Sequence, residues 1–402
     1  MLTLIDLKSQ GLIESSKRVI GRNYQFYSSV LNEEREIFIY KPQGLWGMDE
    51  DMIQLPVIYV LDAESQFNHT VASVDFLSIA TNGNDFMPRS IVVGIANTNN
   101  RTRDLTPVED VNFVSSGGGK RFLQFITTEL IPFVDEQFNT ANHRTIIGHS
   151  FGGLIVFEAL LRFPRVFNNY LAFDPGFGIA DGTYLTEVLD SLNHADYSNE
   201  HIFCSVANNL PSFMNRGQME KDTSSLIKYF GKPNQRLLDA SESNHWKTNF
   251  KIRYYPEENH YSIPHPSTYD GLKEIYDFYS FAEMQNYYHP DYRDRKDLVT
   301  KLKQHYEEVS NRMGYECMPM QGYLNPFAFG LNQFDRKDLA LDLLNYNIDL
   351  HPENPLMYNN LAYLHLQHNN KKEAIKLFKK STLLKSDDKI LQMIEDLKKE
   401  EK

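Results

Sequence analysis

A serine flanked by glycines is the feature that most restricts how this chain can fold. The stretch Gly148–Gly152 reads Gly-His-Ser-Phe-Gly, follows the apolar run Thr145–Ile147 and leads into an amphipathic segment that stops at Pro164. Serine in this pattern occupies a sharp turn from strand to helix, where the flanking glycines let the two elements pass closely. The helix that follows directs its free N–H groups toward any negative charge that forms beside the serine hydroxyl. The sequence therefore predicts a nucleophile at Ser150.

The partners of such a serine come later in the chain, the acid first and the histidine second. His260 follows the strand-like segment Phe250–Pro256 in a polar loop, where it can take the proton of Ser150 and return it to a leaving group. We therefore expect His260 to be the general base. His265 is a weaker alternative, because prolines flank it and it lies later in the same loop.

The acid is predicted after the preceding strand-like segment, His201–Asn209. Asp222 is the first candidate in the stretch that follows, and Glu220 is the alternative. Asp222 also stands at the start of a predicted helix, where an aspartate commonly caps the backbone. Three interpretations stay open at this point: Asp222 as the acid, Glu220 as the acid, and a serine–histidine dyad without either.

Stabilisation of a tetrahedral oxyanion needs backbone N–H donors. One is expected at Phe151, the residue after the nucleophile. The other is expected in the loop after the early strand Leu55–Ala63, where Glu64 is the best-placed residue. Since only the backbone is required, the charged side chain of Glu64 is no obstacle.

Short β-rich runs alternate with helical patterns between residues 18 and 282. Several runs are apolar throughout, as strands covered on both faces should be. The segments Lys120–Phe138 and Gly152–Pro164 show the three- and four-residue spacing of amphipathic helices. This alternation predicts an α/β fold with a mostly parallel sheet and helices on both faces. The predicted strands are Arg35–Pro42, Leu55–Ala63, Arg89–Asn97, Arg144–Gly148, Asn169–Pro175, His201–Asn209 and Phe250–Pro256.

No strand-like run follows residue 282, which divides the chain into a first domain at 1–282, a helical connector at 283–317 and a small all-α domain at 318–402. The segments Leu339–Pro355 and Glu373–Lys389 repeat apolar and small residues at a spacing of 34, the period of the tetratricopeptide repeat. Two repeats are fewer than the three that usually stand alone. We therefore expect these helices to lean on the first domain, over the carboxyl edge of its sheet, or to support dimerisation.

The charge of the chain argues against nucleic acid as a partner. The formal net charge is −12 and the basic residues are scattered, whereas a DNA-binding surface needs a concentrated basic face. No apolar stretch reaches the length of a membrane span. The first residues carry early acidic side chains and no apolar signal segment, which indicates a cytoplasmic protein as written, or an exported one if a leader has been trimmed. The two cysteines are isolated and predict neither a disulfide framework nor a zinc motif.

Together these segments resemble the putative-esterase family of α/β-hydrolases, which includes esterase D-like enzymes and siderophore esterases. The resemblance is carried by LPVIYVLDAESQF, SIVVGIANTNNRTRDLTP, GHSFGGLIVFEALLRFPRVFNNYLAFDP and YYPEENHYSIP, within residues 18–282. It implies the α/β-hydrolase fold, hydrolysis of a small-molecule ester by Ser150 and His260, and no metal or cofactor. Asp222 matches the acid position of the family only loosely, and Ala63 stands where many relatives have glycine. The chain looks closest to siderophore-esterase-like proteins with a C-terminal tetratricopeptide segment.

Several residues near the predicted sheet edge are candidates for a substrate pocket. Arg101, Arg103 and Asp104 follow a predicted strand, at the edge where open α/β sheets bind ligands. The alternative for these three is a salt-bridged loop anchor. His149 is a further pocket candidate, and its side chain is expected to point away from the hydroxyl of Ser150. The glycine-rich stretch Val111–Phe122 is expected to form a lid or a mobile segment, since no Gly-Lys-Ser/Thr follows to bind phosphate.

The sequence therefore predicts a serine esterase that works through an acyl-enzyme intermediate and resembles the siderophore esterases. Two other functions stay open. One is acyl transfer to a second alcohol by the same residues. The other is partner binding by the C-terminal helices, which then form a homodimer or hold a peptide.

Overall fold

An eight-stranded sheet forms the centre of the protein. The computed structural model describes residues 19–42, 54–78, 85–243, 246–292 and 297–400. The strands are β1 (Arg22–Ser28), β2 (Glu33–Tyr40), β3 (Leu55–Leu61), β4 (Ile91–Ile95), β5 (Thr140–His149), β6 (Asn169–Phe173), β7 (Tyr197–Ala207) and β8 (Thr248–Tyr255). They lie in the order β1-β2-β4-β3-β5-β6-β7-β8. The strands β1 and β2 are antiparallel to their neighbours, and the others are parallel.

Burial on both faces explains the apolar runs of the central strands. Every residue of β3, β4 and β6 is buried, as expected of parallel strands with helices on either side. The edge strand β1 has a mixed polar sequence with one buried residue, Ser28, and it was not predicted. The prediction of an α/β fold with a mostly parallel sheet is confirmed.

Helices cover both faces of the sheet. One face carries the helices between Gly119 and His194 and the helix Lys232–Ser243, with Phe122 and Leu154 in its core. The other carries the helices Ala63–Ser78 and Pro264–Ile275, with Phe67 and Leu272 in its core. The helices are α1 (Ala63–Ser78), α2 (Arg101–Leu105), α3 (Gly119–Phe125), α4 (Ile131–Gln137), α5 (Phe151–Arg162), α6 (Thr183–His194), α7 (Arg216–Met219), α8 (Lys232–Ser243), α9 (Pro264–Ile275), α10 (Leu298–Met313), α11 (Gln321–Gln333), α12 (Lys337–Leu350), α13 (Pro355–Gln367), α14 (Lys371–Leu384) and α15 (Asp388–Glu400).

The predicted helix Lys120–Phe138 is a continuous helical run whose geometry changes midway. The helix α3 passes into a π-helical turn, Ile126–Leu130, and then into α4. Pro132, which has no N–H to donate to an α-helical hydrogen bond, stands at the start of α4. The spacing of apolar residues predicts the helix and carries no signal for the wider turn.

The C-terminal helices extend the core on the α1/α9 face. Leu302 of α10 and Leu343 of α12 belong to the same apolar cluster as Phe67 of α1. Tyr306 of α10 donates a hydrogen bond to the buried carboxylate of Asp85 at 2.6 Å. These helices therefore continue the apolar core of the α1/α9 face. That they cover the carboxyl edge of the sheet stays a prediction. Their assignment to the tetratricopeptide family and the domain boundaries stay predictions.

Two sequence-based expectations concern the membrane and the N-terminus. Across the described ranges, no helix is both long and apolar enough to cross a bilayer. The first 18 residues, on which the localisation was argued, lie outside the described residues.

Cys204 and Cys317 are both buried and free of disulfides.

Candidate active site

The turn between β5 and α5 holds Ser150 in a backbone conformation that few residues adopt. Its φ and ψ angles are 60° and −120°, a combination that costs conformational energy in an L-residue. Gly148 has to be glycine, because a Cβ there would lie 2.2 Å from the carbonyl oxygen of Gly152. The Ser150 amide donates to the carbonyl oxygen of Phe173 at 2.9 Å, which ties the turn to β6. The structure thus holds the serine on a sharp strand-to-helix turn.

His260 lies beside this serine, on the loop that follows β8. Its Nε2 is 3.2 Å from Oγ of Ser150, and its ring centroid is 4.0 Å from that of Phe230. The structure brings together the two residues put forward as nucleophile and base, near the distance that proton transfer requires. The weaker alternative, His265, lies in the first turn of α9 with its ring 5.5 Å from that of His69.

The carboxylate that contacts His260 is Asp174, a residue that the chain order did not single out. Its Oδ2 is 2.6 Å from Nδ1 of His260, and the residue is fully buried. Asp174 directly follows β6, the strand next to β5, rather than β7. Its φ of 40° lies in the left-handed region, which aspartate tolerates better than most residues.

The two predicted acids take no part in this contact. Asp222 accepts hydrogen bonds from the amide and the hydroxyl of Ser224, and these bonds lower the pKa of its carboxyl. Glu220 is exposed to solvent. The expectation that one of them reaches His260 is corrected, because β6 ends between β5 and β7 and its first loop residue already fills that place.

Four donors surround the carboxylate of Asp174. Besides His260, these are the amide of Ala207 at 3.1 Å and the side-chain amides of Asn209 and Asn234, each at 2.9 Å. A buried carboxylate needs partners of this kind, and all four offer N–H groups. The chain order predicts an acid after β7, but the chain has Asn209 there, and its side chain donates a hydrogen bond to Asp174. The available sequence signal was an aspartate directly after an apolar strand, in the run AFDP.

His149 supports the loop that carries His260. Its Nε2 donates to the main-chain carbonyl oxygen of His260 at 2.8 Å, and the two ring centroids are 4.5 Å apart. Burial, reinforced by the neighbouring His260, lowers the pKa of His149 to about 4. The His149 ring is therefore neutral near pH 7, with the proton on Nε2 that this hydrogen bond requires.

The two residues predicted to donate to an oxyanion lie at the starts of two helices. Phe151 is the first residue of α5, so its amide has no partner within the helix. Glu64 lies in the first turn of α1, after β3, the neighbour of β5. The two segments are in contact, because a Cβ on Gly152 would lie 3.4 Å from Oδ2 of Asp62. The side chain of Glu64 accepts a hydrogen bond from the Asn97 amide at 2.8 Å. The donor roles of the Phe151 and Glu64 amides stay a prediction.

A cavity of about 820 Å³ opens at Ser150. Its size is that of a site for a drug-sized molecule. Aromatic rings and two cations make up much of its lining, together with the histidines of the site. The lining residues include Phe113, His149, Phe151, Tyr229, Phe230, His260, Tyr261, Arg101 and Lys228.

Only one of the three charged residues put forward for the pocket is in its lining. Arg101 donates through Nε and Nη2 to the two carboxylate oxygens of Asp62, at 2.6 and 2.9 Å, and 36% of its side chain stays exposed. Such a two-point contact fixes the plane of the guanidinium. Asp104 pairs at 2.7 Å with the buried Arg35, and Arg103 pairs with Asp104 at 2.7 Å. For Arg103 and Asp104 the alternative interpretation, a salt-bridged anchor, describes the structure.

Known proteins resemble this chain in sequence and in fold. The family model described as Putative esterase matches residues 28–261, more than half of the chain. The ferri-bacillibactin esterase BesA of Bacillus subtilis is 31% identical over 187 residues, which are 42% of this chain and 63% of that protein. The siderophore triacetylfusarinine C esterase of Aspergillus fumigatus is 30% identical over 131 residues, 30% of this chain and 44% of that protein. The chain therefore spans less than two thirds of the length of these two relatives.

A solved structure matches over a longer range. The crystal structure of an IroE-like serine hydrolase from Shewanella oneidensis superposes with a TM-score of 0.64 and 30% sequence identity. That match covers 80% of this chain and 98% of the other. The family model spans Ser150 and the loop of His260, and the chain belongs to the Putative esterase family.

Proposed function

We propose that the protein is a serine esterase in which Ser150 is the nucleophile, His260 the general base and Asp174 the acid. The observation that carries this proposal is the chain of hydrogen bonds from Oγ of Ser150 through the His260 ring to Asp174, at 3.2 and 2.6 Å. The bond between Nδ1 and the buried carboxylate orients the ring so that Nε2 faces the serine. Membership of an esterase family supports the same activity.

Acylation follows from these positions. Nε2 of His260 takes the proton of the Ser150 hydroxyl while Oγ bonds to the ester carbonyl carbon. Negative charge forms on the carbonyl oxygen, and the amides of Phe151 and Glu64 are the proposed donors to it. The intermediate then collapses, the bond to the alcohol oxygen breaks, and His260 gives its proton to the departing alcohol. The acyl group remains on Ser150.

Deacylation repeats these steps with water. His260 takes a proton from the water molecule as its oxygen attacks the acyl carbon, and Ser150 regains a proton from His260 as the carboxylic acid leaves. Acyl transfer, the alternative reaction, differs only in that a second alcohol replaces the water. The products of a reaction run with added glycerol or sugar distinguish the two.

We propose oxygen-rich esters of the siderophore type as the substrate class. The relatives from Bacillus subtilis and Aspergillus fumigatus carry names that assign them esters of siderophores. The cavity at Ser150 combines aromatic rings with the cations Arg101 and Lys228. Rings and cations together suit a ligand with aromatic groups and negative charge, through stacking and charge-assisted hydrogen bonds.

Active-site labelling tests the reaction before the substrate is known. A fluorophosphonate probe is expected to label the protein, to fail with Ser150→Ala and to label Ser225→Ala, a matched change of another serine in the cavity lining. The panel for hydrolysis consists of p-nitrophenyl acetate, an iron-loaded tris-catecholate triester and an acetylated sugar. A folded wild-type protein that is neither labelled nor active on any ester would refute the proposal.

We infer further that α12–α15 form two tetratricopeptide-like repeats that buttress the catalytic domain. The two repeat segments both fold as helices, α12 and α14, each followed by a second helix. Leu343 and Leu361 of these helices share an apolar core with α1 and α9. Removing residues 318–402 is expected to lower the melting temperature sharply. A homodimer or a peptide partner through these helices stays a proposal that sedimentation of the full chain tests.

A further inference from the structure

The loop Asp110–Ser116 beside the cavity is fixed by polar contacts. The Asp110 carboxylate accepts hydrogen bonds from the amides of Asn112 and Ala180, each at 2.8 Å. The hydroxyl of Ser116 accepts one from the Asp110 amide at 2.8 Å, which closes the loop. The glycine-rich stretch that was expected to form a lid or a mobile segment is therefore anchored at its start, and from Gly119 onward it belongs to α3.

Within this loop Phe113 packs inward while its apolar neighbours face solvent. The Phe113 ring packs edge-on against Phe151 and Tyr229, with centroids 5.0 and 5.1 Å apart. Val111 is fully exposed and Val114 is 89% exposed. Since the loop is pinned, this exposure is a feature of the folded surface. Clustered apolar side chains that the fold leaves in water mark a surface that another molecule covers.

Three more apolar side chains stand exposed on neighbouring segments. Tyr261 is 86% exposed and Leu226 is 40% exposed, and both line the cavity at Ser150. Phe213 is 81% exposed and lies on the segment that leaves β7 at the same edge of the sheet. Val111 and Val114 flank the lining residues Asn112 and Phe113, and Phe213 lies on a separate segment, six residues after β7. Together they form the apolar rim, which consists of Val111, Val114, Phe213, Leu226 and Tyr261.

Positive charge lies within this rim. Arg101 and Lys228 line the cavity, with side chains that are 36% and 40% exposed. Asp62 accepts a hydrogen bond from Nε of Arg101 at 2.6 Å, and Asp181 pairs with Lys228 at 2.9 Å. The cavity therefore presents apolar side chains, two cations and the serine hydroxyl to one ligand.

We propose that the oxygen-rich esters put forward above are amphiphilic: their polar or anionic part occupies the cavity while an apolar chain lies across the apolar rim. This inference rests on the proposed esterase function and names the class of ester on which it acts. The rim is continuous with the cavity, because Tyr261 and Leu226 belong to both. A substrate bound at Ser150 therefore reaches the rim without a second partner.

The hydrophobic effect sets the size of the expected preference. A fully buried CH2 group improves binding by up to about fourfold, and one that lies half against a surface by about twofold. Extending an acyl chain from two carbons to eight adds six such groups. A rim that contacts part of this chain is expected to raise kcat/KM by at least about tenfold.

The experiment compares p-nitrophenyl acetate with p-nitrophenyl octanoate, both below the concentration at which the octanoate forms micelles. The test variant of the full chain is Val111→Ser/Val114→Ser/Phe213→Ser, which leaves the cavity lining intact. The matched control is Phe334→Ser/Leu383→Ser, which removes two exposed apolar side chains of the C-terminal helices. We expect the test variant to keep acetate kcat/KM within about twofold and to lower octanoate kcat/KM at least tenfold, while the control keeps both.

Other outcomes overturn the inference. An equal loss on both esters, or no preference of the wild type for octanoate over acetate, contradicts a rim that binds the chain. Binding of the wild type to phosphatidylglycerol vesicles without any ester, lost in the test variant, assigns the rim to a membrane surface. A dimer that becomes a monomer in the test variant assigns the rim to a second copy. A wild type that hydrolyses neither ester and resists the fluorophosphonate probe refutes the esterase function itself.

Discussion

Two buried aspartates, Asp174 beside His260 and Asp85 against α10, are held in opposite ways. Asp174 receives four N–H donors, among them the side-chain amides of Asn209 and Asn234. Asp85 receives the Tyr306 hydroxyl at 2.6 Å on Oδ2, while its Oδ1 has no partner among the described residues. Burial raises the pKa of Asp85 to about 7, and the Tyr306 hydroxyl only partly opposes this.

Burial alone therefore does not distinguish the proposed catalytic carboxylate from the other one. Both aspartates are almost inaccessible to water, so the difference lies in what surrounds them. Around Asp174, strand ends from β6 and β7 and the helix α8 converge and supply donors for a negative charge. Between α10 and the sheet the surroundings are aromatic, and a neutral carboxyl fits them better.

The contrast between the two aspartates fails if removing the charge of Asp174 leaves the activity unchanged. Asp174→Asn is expected to lower kcat by roughly 10³–10⁴-fold, because an amide no longer holds the His260 ring in the tautomer that accepts the serine proton. The matched control, Asp222→Asn, is expected to stay within about twofold, since that carboxylate bonds only Ser224 among the described contacts. Steady-state kinetics of both variants decide the matter. Equal losses in both, or full activity in Asp174→Asn, would place the acid elsewhere.

The second aspartate, Asp85, is expected to make the stability of the protein depend on pH. The folded-state pKa of Asp85 is raised to about 7, so the folded protein holds a proton that the unfolded chain releases near pH 4. The contribution of Asp85 to the free energy of unfolding is therefore greatest below pH 4 and falls as the pH rises to 7. Relative to Asp85→Asn, the wild type is expected to lose about 3 kcal/mol between pH 5 and pH 8.

Urea unfolding of both proteins at these pH values measures that difference. Asparagine keeps an acceptor for the Tyr306 hydroxyl and removes the titration, so its own stability should change with pH only through other groups. Asp181→Asn, at a carboxylate largely exposed to solvent, serves as the control. Parallel pH profiles for the wild type and Asp85→Asn would show that this carboxyl is charged in the folded state, against the contrast drawn above.

Local patterns in the sequence point to the parts of the site that are themselves local. The glycines around Ser150 impose a strand-to-helix turn, and His260 follows the last strand in a short polar loop. The acid depends on a tertiary fact, namely which strand end faces that loop. The chain order favours the end of β7, but there the chain carries Asn209, and Asp174 reaches His260 from β6. Nothing local in Asp222 or Glu220 separates a turn-forming carboxylate from a catalytic one.

The fold shows the same difference between features that a local pattern predicts and features that depend on tertiary contacts. Apolar runs identified the parallel strands because burial on both faces leaves a continuous signal, whereas β1, with one buried residue, has none. The 34-residue spacing pointed to paired helices, but it does not encode the surface on which they rest. That surface is set by long-range apolar contacts such as those of Leu343 and Leu361, which belong to the same core as α1 and α9.

Removing one donor from Asp174 sharpens the comparison between the aspartates. Asn209→Ala takes one N–H from a buried carboxylate, a loss of about 1.5–3 kcal/mol, and is expected to lower kcat by roughly 10- to 100-fold. Asn208→Ala is the matched neighbour, because its side chain donates to the carbonyl oxygen of Pro256 instead. The expected pattern is a fall in kcat with little change in KM for Asn209→Ala alone. If both variants lose activity equally, the segment after β7 matters as a whole and the donor does not.

The smallest expected effect concerns His149, which donates a hydrogen bond to the main chain of His260. The prediction is that this bond helps to position the proposed base. His149→Phe keeps a ring against His260 but removes the donor to its carbonyl oxygen, a bond worth about 1 kcal/mol, so kcat/KM should fall about fivefold. His149→Gln retains a side-chain N–H and should recover part of that loss. Because the pKa of His149 is lowered to about 4, the ring is neutral throughout the range from pH 6 to 9, and the ratio of wild-type to His149→Phe activity should be constant there. A ratio that changes within this range, or a glutamine variant no better than phenylalanine, would mean that His149 acts through its charge or its packing rather than by positioning the loop of His260.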